Sequence, residues 1–382
     1  MPQLRPKPRI CSDLQQHASQ AIDSADFFPA TATLKSIESG CAGQSVIGLD
    51  TEFVRERTFY PRPGLIQIND GHRIHLIDPI GRGKDNELSR LMTDRSMIKV
   101  FHSVGEDLEI MQIVCGEVPE PLFDTQIAAA MLGFPLQYRY ETLVDECFGV
   151  TLAGGQARSD WCRRPLSPKL LNYAASDVAW LIELQDLLQD ALDRAGRLNW
   201  LKEDCQRLVD QAASDDDRIP LLRVKGGGHL NESGLGWLNR LSAWREEEAR
   251  MRDLPRNFVI KDDQLIQLAE SAVKGVALAA IDEMHPKDRQ RHGHALSDLM
   301  ADAPPEPLER PPEMRRLEPA QRSAIKAAQA RVRALAERLQ VDPALIASKR
   351  ELTRLHFGER PDWAEGWRQE FLPEILGDAA LP

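Results

Sequence analysis

No stretch of about 18 consecutive apolar residues occurs in the 382-residue sequence, so a transmembrane helix is not expected. The opening residues, "MPQLRPKPRI", lack the apolar core of a signal peptide, and the expectation is a soluble cytoplasmic protein with no membrane partner. Cysteine is sparse and scattered. Cys11, Cys41, Cys115, Cys147, Cys162 and Cys205 form no CxxC pair, which argues against a disulfide framework or a thiolate zinc site and leaves reduced, structural thiols. "GLG" at Gly234 to Gly236 lacks the Lys-Ser/Thr of a phosphate loop, so no nucleotide cofactor is expected. His285, His292 and His294 match no familiar zinc spacing and read as a polar loop. Net positive charge is absent too. A formal charge of −11 argues against coating nucleic acid by bulk electrostatics, but not against local basic patches around an acidic pocket.

What is present is organisation. At this length two or three modules are expected. Residues 46–192 alternate strand-like and helix-like segments, a mixed α/β pattern. "VIGLDTEF", "GLIQI" and "RIHLID" are β-rich runs, and the "NDG" at Asn69 to Gly71 signals a hairpin, so the domain starts as an antiparallel meander. "MIKVFHS" reads as a buried strand running into a helix near Gly105, and "PLFDTQ" as a strand before the Ala-rich "IAAAML". "SPKLLNYAASDVAWLIELQDLLQDAL" reads as one long helix, with Ser167 as its N-cap and Pro168 in its first turn. The charge run and glycines of 214–228 suit a linker. The six prolines from Pro304 to Pro319 mark a second boundary, because proline cannot continue a helix.

The chemistry gathers on acids. Asp50 and Glu52 project from one face of their strand, opposite Leu49, Thr51 and Phe53. Alone, a DxE is most simply a solvated strand face, but the apolar residues around it suggest a strand buried on both sides. In "VFHSVGEDLEIM", Glu106 and Glu109 suit the positive end of a helix dipole, and Asp107 has no such ready account. On the late helix, Leu170, Tyr173, Ala174, Asp177, Leu181 and Leu184 fall on one stripe, which places Asp177 inside an apolar face with the Tyr173 hydroxyl one turn away. A carboxylate there is unfavourable unless a cation or strong donors meet it.

This order of parts, strand DxE, acid after a strand-to-helix turn, and Tyr-x-x-x-Asp on a late helix, resembles the DEDD exonuclease superfamily, and the tyrosine its DEDDy branch. "GLDTEFVRERTFYPRPGLIQI", "HSVGEDLE", "FDTQIAAAMLG" and "YAASDVAWL" are similar to the bacterial ribonuclease D family over roughly residues 25–380. The resemblance implies an α/β, ribonuclease H-like exonuclease domain with a mixed sheet over 25–213. It implies two small all-helical HRDC-type domains after it, at 226–305 and, more diverged, at 315–382. It further implies that Asp50, Glu52, Asp107 and Asp177 hold two divalent ions and that Tyr173 orients the attacking water. Oxygen donors without His or Cys favour Mg²⁺ or Mn²⁺ over zinc. The implied activity is 3′–5′ exoribonuclease trimming of tRNA precursors and other small structured RNAs by a monomer, releasing nucleoside 5′-monophosphates. The alternatives are a repair or proofreading exodeoxyribonuclease, and a non-catalytic RNA-binding protein with an exonuclease-like shell.

Candidate substrate contacts are Phe53, Arg55, Tyr60, His102, Arg163 and Arg164. The arginines suit phosphate contacts or equally a solvated basic face, and the aromatics suit base stacking or the core. "HLNESGLGWLNRLSAWREEEARMRDLPRNFVIKDDQLIQLA" resembles the HRDC module, with Trp237, Leu241 and Trp244 as its core at helical spacing.

Overall fold

The computed structural model describes residues 4–214 and 219–377. Six strands form one mixed sheet: β1 (Asp26–Phe28), β2 (Val46–Val54), β3 (Arg62–Asn69), β4 (Ile74–Ile77), β5 (Ile98–Phe101) and β6 (Leu122–Asp124), in the order β1-β4-β3-β2-β5-β6. β2, β3 and β4 are the antiparallel meander, while β5 pairs parallel with β2, β6 with β5, and β1 with β4. The "NDG" turn closes for local reasons. The Asn69 side chain accepts from the Gly71 amide at 2.9 Å, and the Asp70 carboxylate accepts from the amides of His72 and Arg73. Gly71 sits at φ +87°, which a residue with a Cβ rarely adopts.

Helices α1 (Ser12–Asp23), α2 (Lys35–Cys41), α3 (Asn86–Thr93), α4 (Asp107–Val114), α5 (Thr125–Met131) and α6 (Tyr140–Phe148) alternate with the strands and follow them. The expected long helix is two, α7 (Pro168–Val178) and α8 (Leu181–Ala195), followed by α9 (Leu198–Ala213). Ser167 caps α7 as expected, accepting from the Leu170 amide. The break has a visible cause. The Trp180 amide donates to the buried Tyr140 hydroxyl at 3.1 Å instead of continuing the ladder, and the Trp180 indole stacks on Phe148. α7 lies over β2, β3 and β4, tied by Asn69 Nδ2 donating to the Val178 carbonyl. Gly48 on β2 lets the end of α7 and the start of α8 come close, since a Cβ there would fall 3.4 Å from the Val178 carbonyl oxygen and 2.9 Å from Leu181 Cβ.

The chain divides into two compact units. The second, Arg55–Tyr60 with Asp216–Arg322, is a helical bundle of α10 (Glu232–Met251), α11 (Arg256–Val259), α12 (Asp262–Val273), α13 (Ala277–Asp282) and α14 (Pro286–Ala301). Leu235, Leu238, Leu241, Leu265, Leu268 and Leu296 fill its core, with Trp237 buried and Trp244 packed against it. The histidine segment is not a polar loop but part of α14, and His292 is buried edge-on to Trp244. Of the expected linker, 215–218 lie outside the described residues. Leu221 and Val224 after them belong to the bundle core.

The segment expected to stand alone at 315–382 groups from Ser323 onward with the first unit. Val332 and Leu335 of α15 (Pro319–Leu339), Ile346 of α16 (Pro343–Ile346), Leu355 of α17 (Lys349–His356) and Ile375 of α18 (Leu372–Leu376) share one apolar cluster with the sheet. Arg368 pairs with Asp204 of α9, and Trp367 stacks on Trp200 with centroids 4.5 Å apart. All six cysteines are free. Among the described residues no helix is long and apolar enough to cross a membrane.

Candidate active site

Asp50 and Glu52 leave β2 on the face beneath α7, which carries Tyr173 and Asp177 one turn apart. One carboxylate oxygen from each of Asp50, Glu52 and Asp177 lies within 4.8 Å of the other two. Burial first, and then the charges of Asp107, Asp177 and Glu52, raise the Asp50 carboxyl well above its ordinary range. Glu52 is pushed up to about 9 by burial and then by Asp177 and Asp107. Asp177 is pushed up to about 8 by burial and by Glu141, against a hydrogen bond from Tyr173. Burial and the same acids raise the Tyr173 phenol, which therefore stays protonated as a donor.

Asp107 opens α4 and is not within the tight set of three. Its Oδ1 accepts from the hydroxyl of Thr51, the residue between Asp50 and Glu52, whose side chain alternates to the other face of β2. Burial raises Asp107 to about 7, with Thr51 opposing, and after burial its charge is the largest influence on Asp50. The turn that delivers it is built on Asp124. That carboxylate accepts from the amides of Ser103 and Val104 and caps α5 through Gln126 and Ile127, while Ser103 holds a left-handed φ of 66°.

The expected substrate contacts fall apart as a set. Arg164 is committed inward: it donates twice to Asp78, at 2.7 and 2.6 Å, and to the carbonyls of Trp161 and Gly64. It therefore staples the 150–167 segment to the sheet, and Trp161, fully buried beside Tyr173, sits on the bare backbone of Gly64. His102 is committed as well: Nε2 donates to the Tyr138 carbonyl at 2.9 Å, and Nδ1 lies 2.8 Å from Thr125 Oγ1. Phe53 packs against the first unit's core. Arg55 and Tyr60 group with the second unit, where Asp253 accepts from the amides of Phe59 and Tyr60 and the Phe59 ring faces the guanidinium groups of Arg250 and Arg256. Arg163 is exposed, as is Arg158 earlier in the same segment. Thr51, Asp124 and Glu141 were not singled out from the sequence, and only Thr51, lodged inside the DxE, carried a local signal.

Three carboxylates gathered this closely, Glu52 buried and Asp50 and Asp177 partly buried, are all oxygen donors and suit a hard divalent cation, which would supply the missing positive charge. A mixed sheet carrying such a site is the catalytic domain of a 3′–5′ exonuclease, and residues 27–193 match that family. Residues 235–299 match the HRDC domain. Ribonuclease D of Pseudomonas paraeruginosa is 38% identical over 356 residues, covering 88% of this chain and 92% of the relative. Ribonuclease D of Escherichia coli is 33% identical over 349 residues, covering 86% and 91%. The crystal structure of Escherichia coli RNase D, described as an exoribonuclease involved in structured RNA processing, superposes with a TM-score of 0.82 at 31% identity, over 92% of this chain and 97% of that one. The chain belongs to the ribonuclease D family and is a 3′–5′ exoribonuclease with a ribonuclease H-like catalytic domain and an HRDC domain.

Proposed function

We propose that this enzyme trims the 3′ ends of tRNA precursors and other small structured RNAs, releasing nucleoside 5′-monophosphates, and acts as a cytoplasmic monomer. Asp50, Glu52, Asp107 and Asp177 are the proposed ligands of two divalent ions, Mg²⁺ or Mn²⁺. The observation that carries this reading is the gathering of three carboxylates, from Asp50, Glu52 and Asp177, within 4.8 Å. Bound there, the ions would supply Lewis acidity to the attacking water and the leaving 3′ oxygen. The chain's own part is to aim and to exclude. Tyr173, kept protonated by burial and by the acids around it, orients a water through its hydroxyl. Thr51 fixes the rotation of Asp107, and burial of Glu52 and Asp107 keeps bulk water from competing with substrate oxygens.

A tRNA precursor with a short 3′ trailer, a matched single-stranded RNA and a DNA of the same sequence test the reading together. Stepwise loss of mononucleotides from both RNAs, stopped by chelator and restored by Mg²⁺ or Mn²⁺, is expected. Preferential digestion of the DNA would assign the repair-type activity instead. Absence of any release would leave the RNA-binding shell.

A further inference from the structure

Gln67 stands mid-strand in β3, directly opposite Asp50 in the β2–β3 ladder, and the irregularity of that ladder lies further along, between Glu52 and Phe53. Opposed residues of an antiparallel pair project from the same face, with Cβ atoms about 4.5–5.5 Å apart. Asn69, two residues on and therefore on that face, reaches the last carbonyl of α7. The Gln67 side chain thus lies beneath α7, beside the carboxylates. It is fully buried, and neither Nε2 nor Oε1 has a hydrogen-bond partner among the described residues.

A sealed carboxamide without partners carries its full desolvation penalty with no bond to offset it. Its neighbours Leu65, Ile66 and Ile68 are fully buried hydrocarbon, so the strand is not short of apolar volume and leucine or methionine would fill the position without that penalty. The nearest group by register that can use a neutral donor is the Asp50 carboxylate. A neutral donor steadies an anion without competing for it as a lysine or arginine would. Resting on the proposed metal role of Asp50, we propose that Gln67 is a positioning residue: Nε2 donates to the Asp50 carboxylate across one buried water and fixes its rotation for a divalent ion.

The test uses the full-length chain, with Mn²⁺ titrated calorimetrically into wild type, Gln67→Met, Gln67→Leu and Asp50→Asn, alongside thermal unfolding without metal and steady-state hydrolysis. Both Gln67 variants should fold as stably as wild type, yet bind Mn²⁺ about 10- to 100-fold more weakly, the usual effect of losing a group that orients a metal ligand. Their kcat should fall at subsaturating Mn²⁺ with KM for RNA unchanged. Folded variants with wild-type Mn²⁺ affinity would overturn the proposal, and so would failure of both to fold, which would make the amide structural. Wild-type Mn²⁺ affinity in Asp50→Asn would instead overturn the metal reading of the site itself.

Discussion

Replacing Arg368 by methionine should loosen the C-terminal helices from α9 and destabilise the catalytic unit, although position 368 is far along the chain from the acids. Arg368 and Asp204 are both nearly fully buried, and the guanidinium meets the carboxylate through two bonds, at 2.5 and 2.8 Å, while also donating to the Leu345 carbonyl. Truncation leaves Asp204 with only Arg207, at 3.5 Å, and strips the Leu345 carbonyl of both its side-chain donors. Breaking a buried pair from one side costs about 3–5 kcal/mol, because the remaining charge has lost its partner but not its burial. At about 2–4 °C per kcal/mol for a unit of this size, the unfolding midpoint should drop by roughly 6–20 °C. Removing both partners, Arg368→Met with Asp204→Leu, should cost less than Arg368→Met alone, which a double-mutant cycle would show. Tryptophan fluorescence in urea reads the transition, since Trp200 and Trp367 stack beside the pair. A single-variant loss under about 1 kcal/mol would refute the account of this segment as an integral part of the catalytic unit.

Arg164→Met should destabilise the fold by about 2 kcal/mol by removing both guanidinium bonds from Asp78, which keeps the Ile80 amide, while the KM for RNA of the folded enzyme stays at the wild-type value. A stable variant with tenfold weaker RNA binding would return Arg164 to the substrate. Asp70 has a pH signature. Burial, which pushes its carboxyl up, is outweighed by His75 and the amides of Arg73 and His72, and it is pushed down to about 2. A depressed carboxyl stabilises the fold above its unfolded pKa and loses that contribution as pH falls through the folded value. Asp70→Asn should therefore cost about 2 kcal/mol at pH 7, and matched urea curves should converge as pH falls from about 4 towards 2. An equal cost at pH 7 and pH 3 would show that charge is not the cause.

Much of this architecture is legible in the sequence. The β-rich runs of β2 and β3, the Asn-Asp-Gly turn and the Ser167 cap are local signals acted on locally, and all appear in the fold. The division of α7 from α8 was not legible, because its cause is Tyr140, some forty residues upstream, capturing the Trp180 amide. Arg164 read equally as a phosphate contact or as part of a solvated basic face, because a basic cluster reads the same whether it faces phosphate, solvent or a buried aspartate. Its partner Asp78 is brought to it only by the sheet. The carboxylates were legible as a pattern, but Thr51 turning away to hold Asp107 and Gln67 facing Asp50 depend on strand register, which the text of either strand alone does not contain.

The central claim is that the carboxylates around Asp50 carry the hydrolysis. It is tested most directly by following mononucleotide release from a 3′-extended RNA by wild type, Asp50→Asn, Asp177→Asn and Tyr173→Phe, each first shown to unfold near the wild-type midpoint. The expected result is no release above background from either asparagine variant and reduced but measurable release from Tyr173→Phe. Wild-type rates from either asparagine variant would contradict the account.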